Sequence, residues 1–134
     1  MAEDPITVDV REDGVAILTM GFRKGNLANP SWIQAMNEAL DKIDADGRVR
    51  ALVITGKGVK YFCNGLDTKW IAKNPLWAMG MVVQTYRLFA RILVLGVPTV
   101  AAINGHAIGA GFFLAQVCDH RIMTTTRGIF TCLP

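Results

Sequence analysis

Hydrophobic and polar residues alternate at the start of the chain, and this pattern predicts a β-hairpin. Ile6, Val8 and Val10 occupy every second position, and a polar turn at residues 11–14 leads into a second apolar run, Val15–Met20. Alternation of this kind is typical of strands that place one face on a core. We therefore predict two antiparallel strands, followed by a loop at residues 21–29.

Two later stretches carry apolar residues at the spacing of a helix. Asn29 can cap a helix that begins at Pro30, and a longer helix is predicted to begin at Pro75 and to end at Gly96. The apolar positions of the first helix are Trp32, Ile33, Met36, Leu40 and Ile43, and those of the second are Trp77, Met81, Val82, Leu88, Phe89 and Ile92. Both sets fall on one side of a helix, so we expect both helices to pack on a core.

Apolar runs without alternation predict buried strands at residues 49–55 and 97–103, and a further strand is expected at residues 118–124. A strand-helix-strand order suggests parallel pairing through a right-handed crossover. Repetition of this unit is typical of the α/β class. Since the pattern stops as a further segment begins, we predict one partial domain over residues 1–134.

A glycine-rich stretch at residues 105–114 follows one of these strands and is predicted to turn directly into a helix at residues 112–117. The first amides of such a helix have no partners and can hold an anion or a developing oxyanion. The glycines fail the dinucleotide-binding pattern, and Gly56-Lys57-Gly58 lacks the spacing of a phosphate-binding loop. Close helix-to-strand packing is the alternative reason for small residues here.

A second glycine-containing loop lies at residues 62–67. Asn64-Gly65 is a turn signal, and Asp67 can cap a short helix that runs to Ala72. Turn and cap are a sufficient structural explanation for this loop alone. Both loops, however, follow the carboxyl ends of apolar strands, where ligands bind in α/β sheets.

Composition narrows the class of protein. The hydrophobic content of 51% and the mean hydropathy of +0.32 fit strands buried on both faces, or a chain cut from something larger that covers its surface. The net charge of +3 is modest, and the scattered cations do not suggest nucleic-acid binding. The first five residues lack the pattern of a signal peptide, and no apolar run approaches the roughly 20 residues of a membrane span. Three cysteines match neither a zinc site nor a disulfide framework, so we expect reduced thiols inside a cell.

Two long motifs resemble the crotonase (enoyl-CoA hydratase/isomerase) superfamily. Residues 60–67 resemble its first oxyanion-hole motif, and residues 97–114 with Cys118-Asp119-His120-Arg121 resemble its second. The order of the motifs and the preceding hairpin agree, so the resemblance covers nearly the whole chain. It implies a crotonase-like ββα spiral core, incomplete at the carboxyl end, and an acyl-CoA thioester as ligand.

By position, the resemblance assigns the two oxyanion donors to the backbone amides of Leu66 and Ala110. It places the acyl-CoA against residues of three loops: Lys24, Leu27, Asn29, Phe62, Asn64, Gly65, Leu66, Asp67, Gly109 and Ala110. The cations Arg23 and Lys24 suit phosphates but could equally be ordinary solvated charges. Coenzyme A is then part of the substrate, and no separate cofactor or metal is expected. The resemblance also allows a homo-oligomer, a trimer or a hexamer.

The same resemblance bears on the reaction. Hydratases of the family carry a glutamate at the position of Phe113, and the second family carboxylate aligns with the residue after Pro134. A single carboxylate, with Asn64 in the first motif, resembles the Δ3,Δ2-enoyl-CoA isomerases of fatty acid metabolism. We therefore expect an isomerase-type protein whose 134 residues lack the catalytic glutamate and have little activity. The alternatives are a non-catalytic truncated product that binds acyl-CoA or joins a family oligomer, and an inert product that folds poorly.

Other polar residues are predicted to be structural. We expect His106 and His120 to be satisfied structural histidines, and Asp119 to bond backbone or cap a turn. The cysteines Cys63, Cys118 and Cys132 are expected to be small packing residues. An intracellular location is predicted: a peroxisome or mitochondrion for a full-length form, or the cytoplasm without a targeting signal.

Overall fold

The computed structural model describes residues 5–126, 128–129 and 131–132, without the side chains of residues 23, 24 and 132. Its strands are β1 Ile6–Val10, β2 Val15–Met20, β3 Ala51–Gly56, β4 Tyr61–Cys63, β5 Thr99–Ile103, β6 His106–Ile108, β7 His120–Met123 and β8 Thr131–Cys132. Its α-helices are α1 Arg23–Asn26, α2 Pro30–Ala45, α3 Thr68–Lys73, α4 Ala78–Leu93 and α5 Ala110–Val117. The mixed α/β architecture agrees with the predicted class.

The larger sheet has five strands in the order β1-β2-β3-β5-β7. The predicted hairpin is confirmed, because β1 and β2 pair antiparallel with Ile6 opposite Met20. The remaining pairs are parallel, with Val15 of β2 beside Ala51 of β3 and Leu52 of β3 beside Thr99 of β5. Parallel pairing follows because a helix connects each strand to the next one in the sheet.

Helix α2 begins where the sequence predicted. The Asn29 side chain accepts a hydrogen bond of 3.0 Å from the Trp32 amide, and Pro30 occupies the first turn, where a missing N–H costs nothing. All five residues predicted for its apolar face are buried. They join one core with the buried aliphatic side chains of β2 and β3, including Leu18 and Ile54.

A second, three-stranded sheet was not predicted. It consists of β4, β6 and β8, all parallel, with Cys63 of β4 beside Ala107 of β6. The expected direct turn from strand to helix at residues 105–114 was therefore wrong, because the chain leaves β5, pairs with β4 through β6, and only then enters α5. Three-residue strands are too short to show a period, and this pairing joins distant parts of the chain.

The start of α4 also differs from its prediction. Pro75 begins a short 3₁₀ turn, Pro75–Trp77, and the α-helix starts only at Ala78. Because the tighter turn changes the direction of the side chains, Trp77 is 71% exposed although an apolar contact was expected for it. The later predicted positions, such as Met81 and Leu88, are buried. Within the described part of the chain, no helix combines the length and apolar character needed to cross a bilayer.

Candidate functional site

The two loops that the sequence singled out touch through their backbones. Gly65 has a φ of +94°, a conformation that side chains rarely tolerate. A β-carbon built on it would lie 3.0 Å from the Ile108 carbonyl oxygen and 3.7 Å from the Ala110 amide nitrogen. The absence of a side chain at Gly65 therefore lets the first loop approach the start of α5 closely. Leu66 and Ala110, the two predicted donors, are consequently neighbours in space.

Within the described part of the chain, neither of the two predicted donor amides has a hydrogen-bond partner. Leu66 forms a parallel bridge with Ala28, in which Ala28 donates to the Gly65 carbonyl at 2.8 Å and Asp67 donates to the Ala28 carbonyl at 2.9 Å. These two bonds use the amides of Ala28 and Asp67, and the Leu66 amide takes no part in them. Ala110 is the first residue of α5, so its N–H has no acceptor inside the helix. No described residue accepts a hydrogen bond from either amide.

Both residues line one cavity of about 280 Å³. The two loops form one wall, and α4 with Phe113 of α5 forms the other. The lining residues are Asn64, Gly65, Leu66, Thr68, Val82, Thr85, Tyr86, Phe89, Ile108, Gly109, Ala110 and Phe113. The lining is thus largely apolar, and its polar side chains are those of Asn64, Thr68, Thr85 and Tyr86. Leu66 and Ala110, whose amides have no described acceptor, lie in the same lining.

Close packing of α5 on β4 fixes this arrangement. A β-carbon on Gly111 would overlap the carbonyl oxygen of Cys63, so only glycine allows the helix to lie against the strand at this distance. The packing explanation for the glycine-rich stretch is therefore confirmed at Gly111. It is compatible with the donor explanation, because the contact at Gly111 is what places Ala110 beside Gly65.

Asn26 is an important residue that the sequence reasoning did not single out. The residues expected to form a loop include the single turn α1, and Asn26 ends it with a φ of +55°. Its buried side chain donates to the Phe62 carbonyl at 2.9 Å and to the Met20 carbonyl at 3.2 Å, and accepts from the Phe22 amide at 2.8 Å. It joins the loop to both sheets. The dipeptide Gly25-Asn26 was a usable signal, because both residue types tolerate positive φ.

Four other predicted ligand contacts, Leu27, Asn29, Phe62 and Asp67, do not line the cavity. Asn29 and Asp67 cap α2 and α3, and the Asn29 amide donates to the Asp67 carboxylate at 3.1 Å. The ring of Phe62 is fully buried in the core. Leu27 is partly buried at the end of α1, and the side chain of Lys24 lies outside the described part of the chain. The five predicted residues that do line the cavity are Asn64, Gly65, Leu66, Gly109 and Ala110.

The cysteines and Asp119 have structural surroundings. Burial raises the pKa of the Cys63 thiol to about 12 and that of Cys118 to about 11, so both are protonated packing residues, as predicted. Asp119 accepts hydrogen bonds from the Thr99 amide at 2.8 Å and the Thr99 hydroxyl at 3.1 Å, and these bonds lower the pKa of the carboxyl. The predicted bond of Asp119 to backbone is confirmed.

Neither histidine lines the cavity between the two loops. His106 packs edge-on against the ring of Tyr61, with 5.8 Å between the ring centroids, and His120 lies exposed in β7. The side chain of Cys132 and residues 130, 133 and 134 lie outside the described part, so the predictions for the closing segment remain predictions.

The chain is similar to known proteins in sequence and in structure. Residues 10–131 match the family described as enoyl-CoA hydratase/isomerase. The human mitochondrial methylglutaconyl-CoA hydratase is 32% identical over 129 residues, which are 92% of this chain and 38% of the relative. The peroxisomal enoyl-CoA delta isomerase 1 of Arabidopsis thaliana is 29% identical over 119 residues, which are 88% of this chain and 50% of the relative. A solved enoyl-CoA isomerase from Mycobacterium tuberculosis superposes with a TM-score of 0.79 at 40% identity, covering 88% of this chain and 50% of that one.

The fold, the paired loops and the sequence match define one class of protein. The chain belongs to the enoyl-CoA hydratase/isomerase family, the crotonase superfamily whose motifs its sequence resembles. It has the crotonase fold, and it spans half or less of the length of these relatives.

Proposed function

We propose that this chain binds an acyl-CoA thioester and holds the thioester oxygen with the amides of Leu66 and Ala110. One observation supports the proposal: two residues whose N–H groups have no described acceptor line the same apolar cavity. When a proton leaves the carbon beside a thioester, negative charge develops on the carbonyl oxygen. Fixed N–H donors in a site of low polarity stabilise that charge strongly.

We further propose that the chemistry is of the isomerase type. Isomerisation of a 3-enoyl-CoA needs one base that moves a proton between C2 and C4, whereas hydration also needs an activated water. Phe113 lines the cavity at the position where the resemblance gives hydratases a glutamate, and its ring offers no group to activate water. The relatives themselves are named both hydratase and isomerase, so their names do not decide the reaction.

The base is the missing part of this proposal. No described residue that lines the cavity carries a carboxylate, and the Asp67 carboxylate is occupied by Asn29 and by the Trp70 amide. The same observation favours a second candidate function, a non-catalytic product that binds acyl-CoA or joins an oligomer of the family. The two candidates share the binding site and differ in whether a proton is transferred.

A binding experiment tests the shared site. Ala110→Pro removes one donor N–H at the first helical position, where proline is best tolerated, and Ala110→Ser is the matched control that keeps the N–H. We expect hexanoyl-CoA to bind the Pro variant about tenfold more weakly than the Ser variant, since one hydrogen bond is lost. Free coenzyme A has no thioester carbonyl, so its affinity should be the same for both variants. Calorimetric titration measures each affinity, and equal binding of hexanoyl-CoA to both variants would contradict the role of Ala110.

An activity experiment separates the two candidates. We expect the 134-residue chain to bind 3-hexenoyl-CoA but to isomerise it no faster than a protein-free control. Isomerisation above that control, followed by absorbance of the conjugated product, would favour the enzyme. Hydration of 2-hexenoyl-CoA would contradict the argument from Phe113.

Cofactor use and location follow from the same proposal. Coenzyme A enters as part of the substrate, and we propose that no separate cofactor is needed. An intracellular location agrees with the compartments in the names of two relatives, one mitochondrial and one peroxisomal.

A further inference from the structure

We propose that the cavity selects acyl groups that are uncharged hydrocarbon chains and excludes those that end in a carboxylate, with Tyr86 as a specificity-determining residue. This inference rests on the proposed binding of an acyl-CoA thioester. Acyl groups of both kinds occur as thioesters with the same carbonyl group. The two amides therefore cannot distinguish between them. Discrimination must therefore come from the opposite wall.

That wall is built by α4 and α5. It consists of Val82, Thr85, Tyr86, Phe89 and Phe113. The Thr85 hydroxyl is buried and already donates to the Met81 carbonyl at 2.9 Å, so it presents no spare donor. Among the described lining residues there is no lysine, arginine or histidine, and the other polar side chains, Asn64, Thr68 and Tyr86, carry no charge. An acyl chain in this part of the cavity meets mainly methyl groups and aromatic rings.

The physical consequence is opposite for the two kinds of chain. A carboxylate that enters this cavity finds no cation, and the uncharged donors in the lining, Asn64, Thr68 and Tyr86, replace only part of the hydration that it loses. A hydrocarbon chain gains by burial, and each added methylene is expected to strengthen binding about fourfold while space remains. The wall thus favours a chain that ends in a methyl group.

Tyr86 occupies a special place in this wall. Its ring packs edge-on against Phe89 at 6.2 Å and against Phe113 at 6.3 Å, measured between ring centroids. Phe89 is only 3% exposed, whereas Tyr86 is 54% exposed. Tyr86 therefore lies where the cavity meets solvent, with its ring joined to the buried rings. A cation at this position could keep its hydration and still reach a carboxylate inside.

The test compares hexanoyl-CoA with glutaryl-CoA, which have similar lengths and differ at the end of the chain. We expect the natural chain to bind hexanoyl-CoA at least about tenfold more tightly. Tyr86→Arg should shift that ratio toward glutaryl-CoA by at least about tenfold. Val83→Arg is the matched control, because Val83 is 41% exposed on the same helix and does not line the cavity. It should leave the ratio unchanged.

Each outcome is decisive. Equal affinities for the two thioesters, or tighter binding of glutaryl-CoA by the natural chain, would overturn the selection. A ratio that Tyr86→Arg and Val83→Arg change equally would overturn the role of Tyr86. If Tyr86→Arg does not unfold cooperatively, Tyr86→Ala replaces it and should weaken hexanoyl-CoA binding severalfold without strengthening glutaryl-CoA binding. Failure of coenzyme A and both thioesters to bind would instead remove the proposed function itself.

Discussion

The two sheets of this molecule differ in the kind of contact that each makes with its surroundings. In the five-stranded sheet, fully buried side chains such as Leu18, Leu52 and Ile54 share one apolar core with the buried face of α2. In the three-stranded sheet the contacts include direct approaches of backbone to backbone, with Gly111 of α5 on the Cys63 carbonyl and Gly65 on the Ile108 carbonyl. Side chains can adjust by rotation, whereas backbones at this distance cannot.

The difference has a functional meaning. Backbone amides can serve as donors only if the chain around them is held at a fixed position, and close backbone packing provides that. The larger sheet supplies much of the apolar burial that stabilises the fold. We therefore expect a methyl group added in the smaller sheet to lower the free energy of unfolding far more than a methylene removed from the larger sheet.

The strongest test adds a single methyl group at the helix-to-strand contact. Gly111→Ala would place a β-carbon on the Cys63 carbonyl oxygen, so α5 must move away from β4. We expect the free energy of unfolding to fall by at least about 4 kcal/mol, a large part of the stability of a small domain. Urea denaturation followed by circular dichroism measures it.

Gly80→Ala is the matched control for that substitution. Gly80 lies on the exposed side of α4, and a β-carbon there would meet no atom within 4 Å. The same chemical change should stabilise the protein by about 0.5–1 kcal/mol, because alanine favours a helix. Similar effects of the two substitutions would show that the contact at Gly111 is not a tight one.

A weaker but still large effect is expected at Asn26, the polar link between the loop and β4. Asn26→Ala leaves the Phe22 amide and the Phe62 and Met20 carbonyls without their side-chain partner, and it forces a positive φ on alanine. We expect a loss of about 3 kcal/mol in unfolding free energy.

Asn26→Gly separates the two causes, since glycine accepts the backbone conformation but supplies none of the hydrogen bonds. It should recover about 1 kcal/mol relative to alanine. Full recovery to the natural stability by glycine would show that the backbone conformation matters and the hydrogen bonds do not.

The same contrast explains what the sequence could predict. The long elements, such as α2 and the strands of the larger sheet, repeat their apolar residues often enough to reveal a period. The three-residue strands β4 and β6 cannot, and their pairing depends on residues far apart in the chain. Leu66 and Ala110 were proposed as donors only through the resemblance of two motifs, because every residue type except proline carries a backbone N–H and the sequence therefore does not mark a donor. Asn26 was missed since its role depends on the approach of Phe62 and Met20.

The smallest effect is expected in the larger sheet. Ile54→Val removes one methylene from a fully buried side chain in β3. Neighbouring side chains can partly close the space, so we expect a loss of only about 1 kcal/mol in urea denaturation, against at least about 4 for the methyl group added at Gly111. Ile54 does not line the cavity, and the affinity for hexanoyl-CoA should therefore not change. Weaker binding of hexanoyl-CoA would mean that the larger sheet also positions the proposed donor amides. A loss above about 3 kcal/mol would mean that the larger sheet is nearly as sensitive to a change of volume as the smaller sheet.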